Sequence, residues 1–454
     1  MYLLKDKKVK IAVSVLVALA IAAFAFVAGF YTERCSSDRA LSSYEWGLKT
    51  IKEYYYFDEP DSGYTETSLK AIADTYLDRY SEYYTKEEYE EVQKSNAGSK
   101  SGIGISYSFV NGKGVYVSRV VGNSPAYTAR LRAGDYILSG SVEGGKEEKF
   151  TSSNSFANFI SSAKDGAKIT LTADDGEKYQ MAKAEYTASY ASMVTSTLED
   201  GKTVYKHWTV DPSSGTLGFA PDYNYSYLPV GCAYLRLDQF YGSATSEFYT
   251  LIEKFNALEC TSLILDLRSN GGGYVSIMQD IAGCFAGGKS NLAMLSRDKK
   301  GVEEKFNCKK VTDEKRRIDN KNVFVLANAG TASASEALIG AMICYGAVDY
   351  KDIFLSQYSD EYINWMYPTG QDIKNGRTYG KGIMQTPFTN YMTGEVLKLT
   401  TAKIFWPDKT TSIHDRGVTV GDDNCTAVPT DWEWTKGDKE LQSAVETIKN
   451  RIQA

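Results

Sequence analysis

The first strongly patterned stretch of the chain is an unbroken apolar run, "IAVSVLVALAIAAFAFVAGF", from Ile11 to Phe30. It carries no charge and has about the length a hydrocarbon core requires of a helix. The lysines of "KDKKVK" precede it and Glu33-Arg34 follow it. That arrangement predicts a cytoplasmic tail at 1–10, a single transmembrane anchor at 11–30, and everything after it on the outer side. A cleaved signal peptide, with Ala23-Phe24-Ala25 as its small-residue site, is the competing reading.

Beyond the apolar run the period changes to that of amphipathic helices. "SLKAIADTYLDRY" and the polar "TKEEYEEVQKS" predict helices, so 38–97 is read as an N-terminal helical region. Alternation then takes over. "SGIGISYSFVNGKGVYVSRVV" predicts strands around an Asn-Gly-Lys-Gly turn. Short helices in "NSPAYTARLRAGDYIL" and "SNSFANFISSA", and strands around an Asp-Gly turn in "AKITLTADDGEKYQMAKAEY", complete a β-rich unit over 98–186. In 187–454 strands and helices alternate. "CAYLRLDQF", "SLILDLRSNGGG" and "NVFVLANA" read as strands; "SATSEFYTLIEKFNAL", "YVSIMQDIAGCF" and "SASEALIGAMICYG" read as helices. This predicts an α/β sheet covered by helices, closed by an amphipathic helix in "DKELQSAVETIKNRI".

Composition narrows the function classes. Net charge is −6 with a pI near 5.4, and there is no basic stripe, so nucleic acid is not an expected partner. None of the seven cysteines has metal-ligand spacing, and no metal is expected. Cys232, Cys260, Cys284 and Cys344 lie in apolar runs that predict buried thiols. Cys308 and Cys425 are candidates for a pair in an oxidising compartment.

The chemistry centres on "VLANAGTASASEALIGAM", Val325 to Met342. A strand enters a small-residue turn and a helix leaves it. The turn carries three hydroxyls, Thr331, Ser333 and Ser335. A hydroxyl at such a corner faces the N–H groups of a helix N-terminus, which hold a developing oxyanion. The competing reading is a plain capping box, Ser333-Ala334-Ser335-Glu336. A nucleophilic serine needs a base. His207 and His414 sit in stretches with no site-like character. Lys381 lies between glycines in "TYGKGIMQT", and burial can hold a lysine neutral. In an extended segment Lys381, Ile383 and Gln385 share one face. An ordinary surface lysine in a turn is the alternative. In "LDLRSNGGGYV", Asp266 and Arg268 precede Gly271, Gly272 and Gly273, whose backbone can approach a ligand closely.

"LILDLRSNGGG", "NAGTASASEAL" and "YGKGIMQ", in this order, resemble the carboxyl-terminal processing peptidases, or tail-specific proteases. "LDRYSEYYTKEEY" resembles the segment before that family's peptide-binding domain, and "SGIGISY" with "GNSPAYTARLRAGDYIL" resembles its PDZ domain. The resemblance implies an α/β protease core of crotonase-like ββα type with a PDZ domain, behind the helical region and the transmembrane segment. It implies a serine endopeptidase with Ser333 as nucleophile, Lys381 as general base and Gln385 positioning the lysine. The backbone N–H groups of Ala334, Gly271, Gly272 and Gly273 would form the oxyanion hole. Gly102, Ile103, Gly104 and Ile105, with Phe156, Phe159 and Ile160 on a helix, would receive a peptide tail in the PDZ unit. Expected partners are proteins or peptides with a free C-terminus, the membrane through the N-terminal helix, and another copy in a homo-oligomer. No cofactor is implied. The expected location is the cell membrane, single-pass, with the catalytic part periplasmic or extracellular.

The chain departs from the family pattern near 354–377, where "FLSQYSDEYINWMYPTGQDIKNGR" looks inserted, and "HDRGVTVGDD" lacks an expected proline. Two other classes stay open. One is a catalytically silent PDZ-containing peptide-binding scaffold. The other is an acyl-CoA-handling enzyme that uses the glycine turn as its oxyanion hole.

Overall fold

The computed structural model describes residues 64–132, 134–219, 225–358, 375–421, 425–427 and 438–452. The tail and anchor expected at 1–30, and most of the region expected as an insertion, lie outside the described residues. Among the described residues no helix is long and apolar enough to cross a membrane.

Helix α1 (Tyr64–Tyr76) comes first. It ends before "LDRY", which the helical periodicity had included, so Asp78 to Tyr80 leave as irregular chain. A short strand β1 (Glu82–Tyr84) and α2 (Lys86–Asn96) follow. Helix α2 begins at a capping box in which Thr85 Oγ1 accepts from Glu88 N and the Glu88 carboxylate accepts from Thr85 N.

The β-rich unit opens with β2 (Ser99–Gly102), β3 (Ile105–Val110) and β4 (Gly114–Val120), then α3 (Pro125–Thr128). It continues with β5 (Tyr136–Val142), β6 (Glu148–Lys149), α4 (Ser153–Ser162), β7 (Lys168–Ala173), β8 (Lys178–Ala182) and β9 (Ala184–Thr187). Strands run in the order β3-β4-β5-β7-β8, with β6 on β5, while β2 and β9 form a separate ribbon. Strand β3 is thus an edge. Val115, Val117, Ile137, Ile169 and Leu171 form a core with Phe156 and Phe159 of α4.

The larger sheet is built from β10 (Ala191–Glu199), β11 (Lys202–Val210), β12 (Leu217–Phe219), β13 (Cys232–Leu237), β14 (Ser262–Asp266), β17 (Asn322–Ala327), β18 (Ile353–Gln357) and β21 (Cys425–Ala427). Its order is β12-β11-β10-β13-β14-β17-β18-β21, antiparallel up to the β10–β13 pair and parallel from β13 onward. Period-two alternation fixes both faces. Leu263, Leu265, Val323 and Val325 pack with α5 (Ala244–Ala257), α6 (Val275–Gly283) and α7 (Ala334–Tyr345). Ile264, Phe324 and Leu326 turn to the other face and meet Leu441, Ala444, Val445 and Ile448 of α8 (Lys439–Ile452). Those four α8 positions follow the helical i, i+3, i+4, i+7 spacing. Burial on both faces explains why the parallel strands read as continuous apolar runs. A second sheet, β15 (Leu292–Asp298), β16 (Glu303–Asn307), β19 (Ile383–Thr389) and β20 (Val396–Phe405), takes β1 onto its β20 edge.

Cys232, Cys260, Cys284 and Cys308 are buried free thiols, whereas Cys344 is exposed. The apolar run around Cys344 predicted burial. The residue falls on the last turn of α7.

Candidate active site

The parallel pair β14–β17 places two loops side by side at the strands' carboxyl ends, where open α/β sheets bind ligands. Two asparagines lock the loops together. Asn270, fully buried, donates Nδ2 to Leu237 O and accepts from Gly272 N at Oδ1. Its carbonyl accepts from Ala332 N and Ser335 Oγ. Asn328 Oδ1 accepts from Ser269 N and Gly330 N, and its Nδ2 donates to the hydroxyls of Tyr358 and Ser269.

The three hydroxyls of the serine turn now differ. Thr331 Oγ1 donates to Leu267 O at 2.7 Å, and Ser335 Oγ to Asn270 O at 2.9 Å; both are fully buried. They are structural. Glu336 binds the Ser333 backbone N–H, and among the described residues the Ser333 hydroxyl donates to nothing. Ser333 also has φ 59° and ψ −117°, a backbone conformation that costs a non-glycine residue of order 1–3 kcal/mol. The turn thus sets the one uncommitted hydroxyl at the mouth of α7, partly open to solvent.

Gly272 is fitted against this serine. A β-carbon there would stand 2.8 Å from Ser333 Cβ, 2.8 Å from Ala332 O and 2.9 Å from Ala334 N, and its φ is +98°. Only glycine permits that approach. The Gly272 N–H itself is committed to Asn270 Oδ1, so in this conformation it is not an anion donor. Ala334 N, first in α7, has no acceptor within its own helix. Gly273 N and Gly271 N complete the set of N–H groups on the glycine turn, with Gly273 held against Phe240 by a parallel bridge.

Glu336 joins the serine turn to the lysine segment. Its Oε2 accepts from Ser333 N at 2.9 Å and from Lys381 N at 2.9 Å; its Oε1 accepts from Gly380 N at 2.8 Å and Thr378 Oγ1 at 2.5 Å. Burial pushes this carboxyl up, while the four donors pull against that rise. The capping-box pattern foresaw the bond to Ser333 but not the two backbone bonds to residues more than forty positions away.

The Lys381 side chain meets Tyr80. Its Nζ lies 4.5 Å from the centroid of the Tyr80 ring and makes no hydrogen bond to Ser333. Burial and the positive charge of Lys398 lower its pKa against the opposing charges of Asp78 and Glu82. Lys381 stands two residues before β19 and Gln385 within it, and the register irregularity of the β19–β20 pair, between Met384 and Gln385, has its extra residue, Thr401, on β20. The Gln385 amide instead donates to Thr400 Oγ1 at 3.0 Å, and Thr400 Oγ1 donates to Asp78 at 3.1 Å. The structure brings Ser333, Lys381, Ala334 and the glycine turn together and sets Gln385 one hydroxyl away from the Asp78 segment.

Asp266 and Arg268 belong to a buried ion cluster behind the glycine turn. Arg268 binds Asp266, Asp438 and Glu440, and the Tyr234 hydroxyl donates to Asp266. Burial raises the Asp266 carboxyl, but Arg268 and Arg236 outweigh it and hold it at about 2. His207 stacks edge-on to Tyr225. The His414 side chain sits 3.5 Å from Asp415, and its backbone packs under Gly382, so it supports the lysine segment sterically.

In the β-rich unit, Gly102 (φ +129°) ends β2 and Gly104 (φ +81°) precedes β3. A β-carbon at Gly104 would fall 2.2 Å from Ser124 Cβ. Ile103 is buried and Ile105 opens the edge strand β3. Phe156 meets Tyr107 edge-to-face at 4.7 Å; Phe156 and Phe159 are core residues, and Ile160 is partly buried beside them.

Sequence reasoning did not single out Asn270, Asn328, Thr378 or Tyr80. The first two had a legible signal, an asparagine in each of the two loops that follow a buried strand, one or two residues before a glycine. Thr378 and Tyr80 had none, since their partners are distant in the chain.

Residues 231–348 match the model described as Peptidase family S41. A protein of Staphylococcus saprophyticus named Probable CtpA-like serine protease is 24% identical over 410 residues, covering 90% of this chain and 70% of that protein. A Staphylococcus epidermidis protein of the same name is 23% identical over 424 residues, covering 91% and 72%. A crystal structure described as an S41 protease from Bacteroides fragilis superposes with TM-score 0.53 at 14% identity, covering 87% of this chain and 92% of that one. That likeness is one of fold.

Proposed function

We propose that this chain, a serine peptidase of the S41 type, is an endopeptidase that cleaves proteins or peptides near their C-termini through Ser333 and Lys381. The observation that carries the reading is Glu336: one buried carboxylate holds the backbone of both Ser333 and Lys381. Neutral Lys381 takes the Ser333 proton as Oγ attacks the substrate carbonyl. The N–H groups of Ala334 and of Gly271 or Gly273 receive the oxyanion. Lys381 then protonates the leaving amine, and a water deprotonated by the same lysine releases the acyl group from Ser333. Gln385 acts indirectly, through Thr400 and the Asp78 segment.

The β-rich unit is read as a PDZ domain that adds a substrate tail to the edge strand β3, and the core as the crotonase-like ββα type. The apolar run Ile11–Phe30 is read as a membrane anchor with the peptidase outside. Hydrolysis of fluorescein-labelled casein by purified wild type and its loss in Ser333→Ala, with unchanged circular dichroism, is the expected result. Retained hydrolysis in Ser333→Ala would falsify the assignment. The silent-scaffold reading draws on the lack of a hydrogen bond between the Lys381 amine and Ser333; equal background signal from wild type and Lys381→Met would establish it.

A further inference from the structure

The residue that meets the Lys381 amine is not the serine but Tyr80. Tyr80 belongs to a segment, Asp78 to Tyr84, that is fastened along its length. Asp78 accepts from Thr400 Oγ1, Ser81 Oγ accepts from Thr400 N at 3.0 Å, Glu82 pairs with Lys398, and β1 adds to the edge of β20. The Tyr80 hydroxyl donates to that of Tyr379 at 3.2 Å. The Arg79 guanidinium lies 5.0 Å from the Tyr80 centroid and 5.4 Å from that of Tyr379.

We propose that Tyr80 is a positioning residue that holds the Lys381 amine on its ring, where it makes no hydrogen bond to Ser333, so that the Asp78–Tyr84 segment holds the peptidase at rest until ring and amine separate. The proposal rests on the reading of Lys381 as general base.

The physical basis is the charge selectivity of the contact. A ring face attracts an ammonium and not a neutral amine. A general base must be neutral when it acts. The Tyr80 ring therefore favours the form of Lys381 that does no chemistry. The surrounding charges are divided: Lys398 on β20 and Arg79 on the strap disfavour the ammonium, whereas Asp78 and Glu82 on the strap favour it. Glu336 faces only the lysine backbone. Because that backbone is pinned while the four-carbon stem is free to change rotamer, release needs only a side-chain movement. The strap is fastened by side-chain bonds and a three-residue strand on an edge, so it is a separable element rather than part of the core.

The test compares wild type, Tyr80→Leu and Tyr80→Phe. Leucine keeps apolar cover over the amine without a π face; phenylalanine keeps the ring and loses the hydroxyl's bonds to Tyr379 and Arg79. Two readouts are taken across pH: hydrolysis of fluorescein-casein, and pulse acetylation of Lys381 by acetic anhydride followed by peptide mass spectrometry. The second does not depend on turnover. In Tyr80→Leu the acid limb and the labelling midpoint should both move to lower pH, and at a fixed pH on the limb both rates should rise ~3- to 10-fold. Tyr80→Phe should keep the wild-type midpoint. An unmoved midpoint in Tyr80→Leu overturns the proposal, including the case where labelling rises equally at every pH, which reports access alone. So does a shift in Tyr80→Phe equal to that in Tyr80→Leu. Should Tyr80→Leu fail to melt cooperatively, Tyr80→Met takes its place with the same expectation. Casein hydrolysis that survives Lys381→Met removes the base reading itself. Its loss there, with an unmoved Tyr80→Leu midpoint, removes only the parking role.

Discussion

The backbone N–H groups of Ser333 and Lys381 share one acceptor, Oε2 of Glu336, each at 2.9 Å. The proposed nucleophile and its proposed base are therefore placed relative to each other by main-chain bonds to a third residue. No contact between their own side chains is needed for that placement.

Glu336→Gln should expose this dependence. The carboxylate accepts from four donors and offers none. An amide puts an NH₂ against two of those donors, leaving buried N–H or O–H groups unpaired at about 1–3 kcal/mol each. Casein hydrolysis should fall by more than about 100-fold, since small misplacements of reacting groups carry that cost. A urea midpoint lowered in parallel would confirm the cause; full activity would exclude it.

Gly272→Ala should be nearly as damaging. Its β-carbon would enter the space of Ser333 Cβ and Ala334 N, at a φ of +98°. The strain there acts on the serine turn directly. Activity is expected to drop by about two orders of magnitude if the turn shifts by as little as about 1 Å. Gly112→Ala, at a positive φ but with open space around it, is the control and should leave hydrolysis near wild type.

Activity should rise with pH. Lys381 is a base only when neutral, and burial together with Lys398 lowers its pKa. The rate should therefore climb as pH rises and level off below the ordinary lysine range. Lys398→Met removes a neighbouring positive charge and leaves Glu82 uncompensated. Both changes favour the Lys381 ammonium, so the acid limb should move to higher pH. A limb that moves lower in Lys398→Met would contradict the electrostatics.

Arg268→Met should test the support behind the glycine turn. The arginine neutralises three acidic groups, and removing one partner of a buried cluster typically costs ~3–5 kcal/mol. The sign of its pH dependence follows from Asp266, whose native pKa of about 2 lies below its ordinary value of 3.8. Its contribution is fully present above 3.8 and is lost as pH falls toward about 2. Urea unfolding at pH 7 should separate variant from wild type, and the gap should narrow in acid.

Much of the fold is legible in the chain because its signals are local. Continuous apolar runs such as "SLILDL" mark strands buried on both faces, and the strand–turn–helix sequence around Ser333 places its hydroxyl at a helix mouth. The same locality explains the errors. "LDRY" continues a helical period but is pulled into the strap by Thr400 and Lys398, which lie more than 300 residues away. Gln385 alternates with Lys381 on paper, but its amide is committed to Thr400, a cross-strand partner that local alternation does not show.

What the sequence determined by itself was the inventory: a strand-to-helix turn with three hydroxyls, a glycine run after a buried strand, and a lysine flanked by glycines. Side-chain chemistry and short-range periodicity suffice for that. What only the tertiary structure decided was commitment. Thr331 and Ser335 spend their hydroxyls on carbonyls of the neighbouring loop, and Gly272 spends its N–H on Asn270. Glu336 spends its carboxylate on both halves of the site, and Lys381 rests its amine on Tyr80. Each is a contact between segments that parallel strand pairing or sheet-edge addition brings together. Hydrogen bonds and ring contacts act over a few ångströms, so which group remains uncommitted is fixed only when distant segments meet.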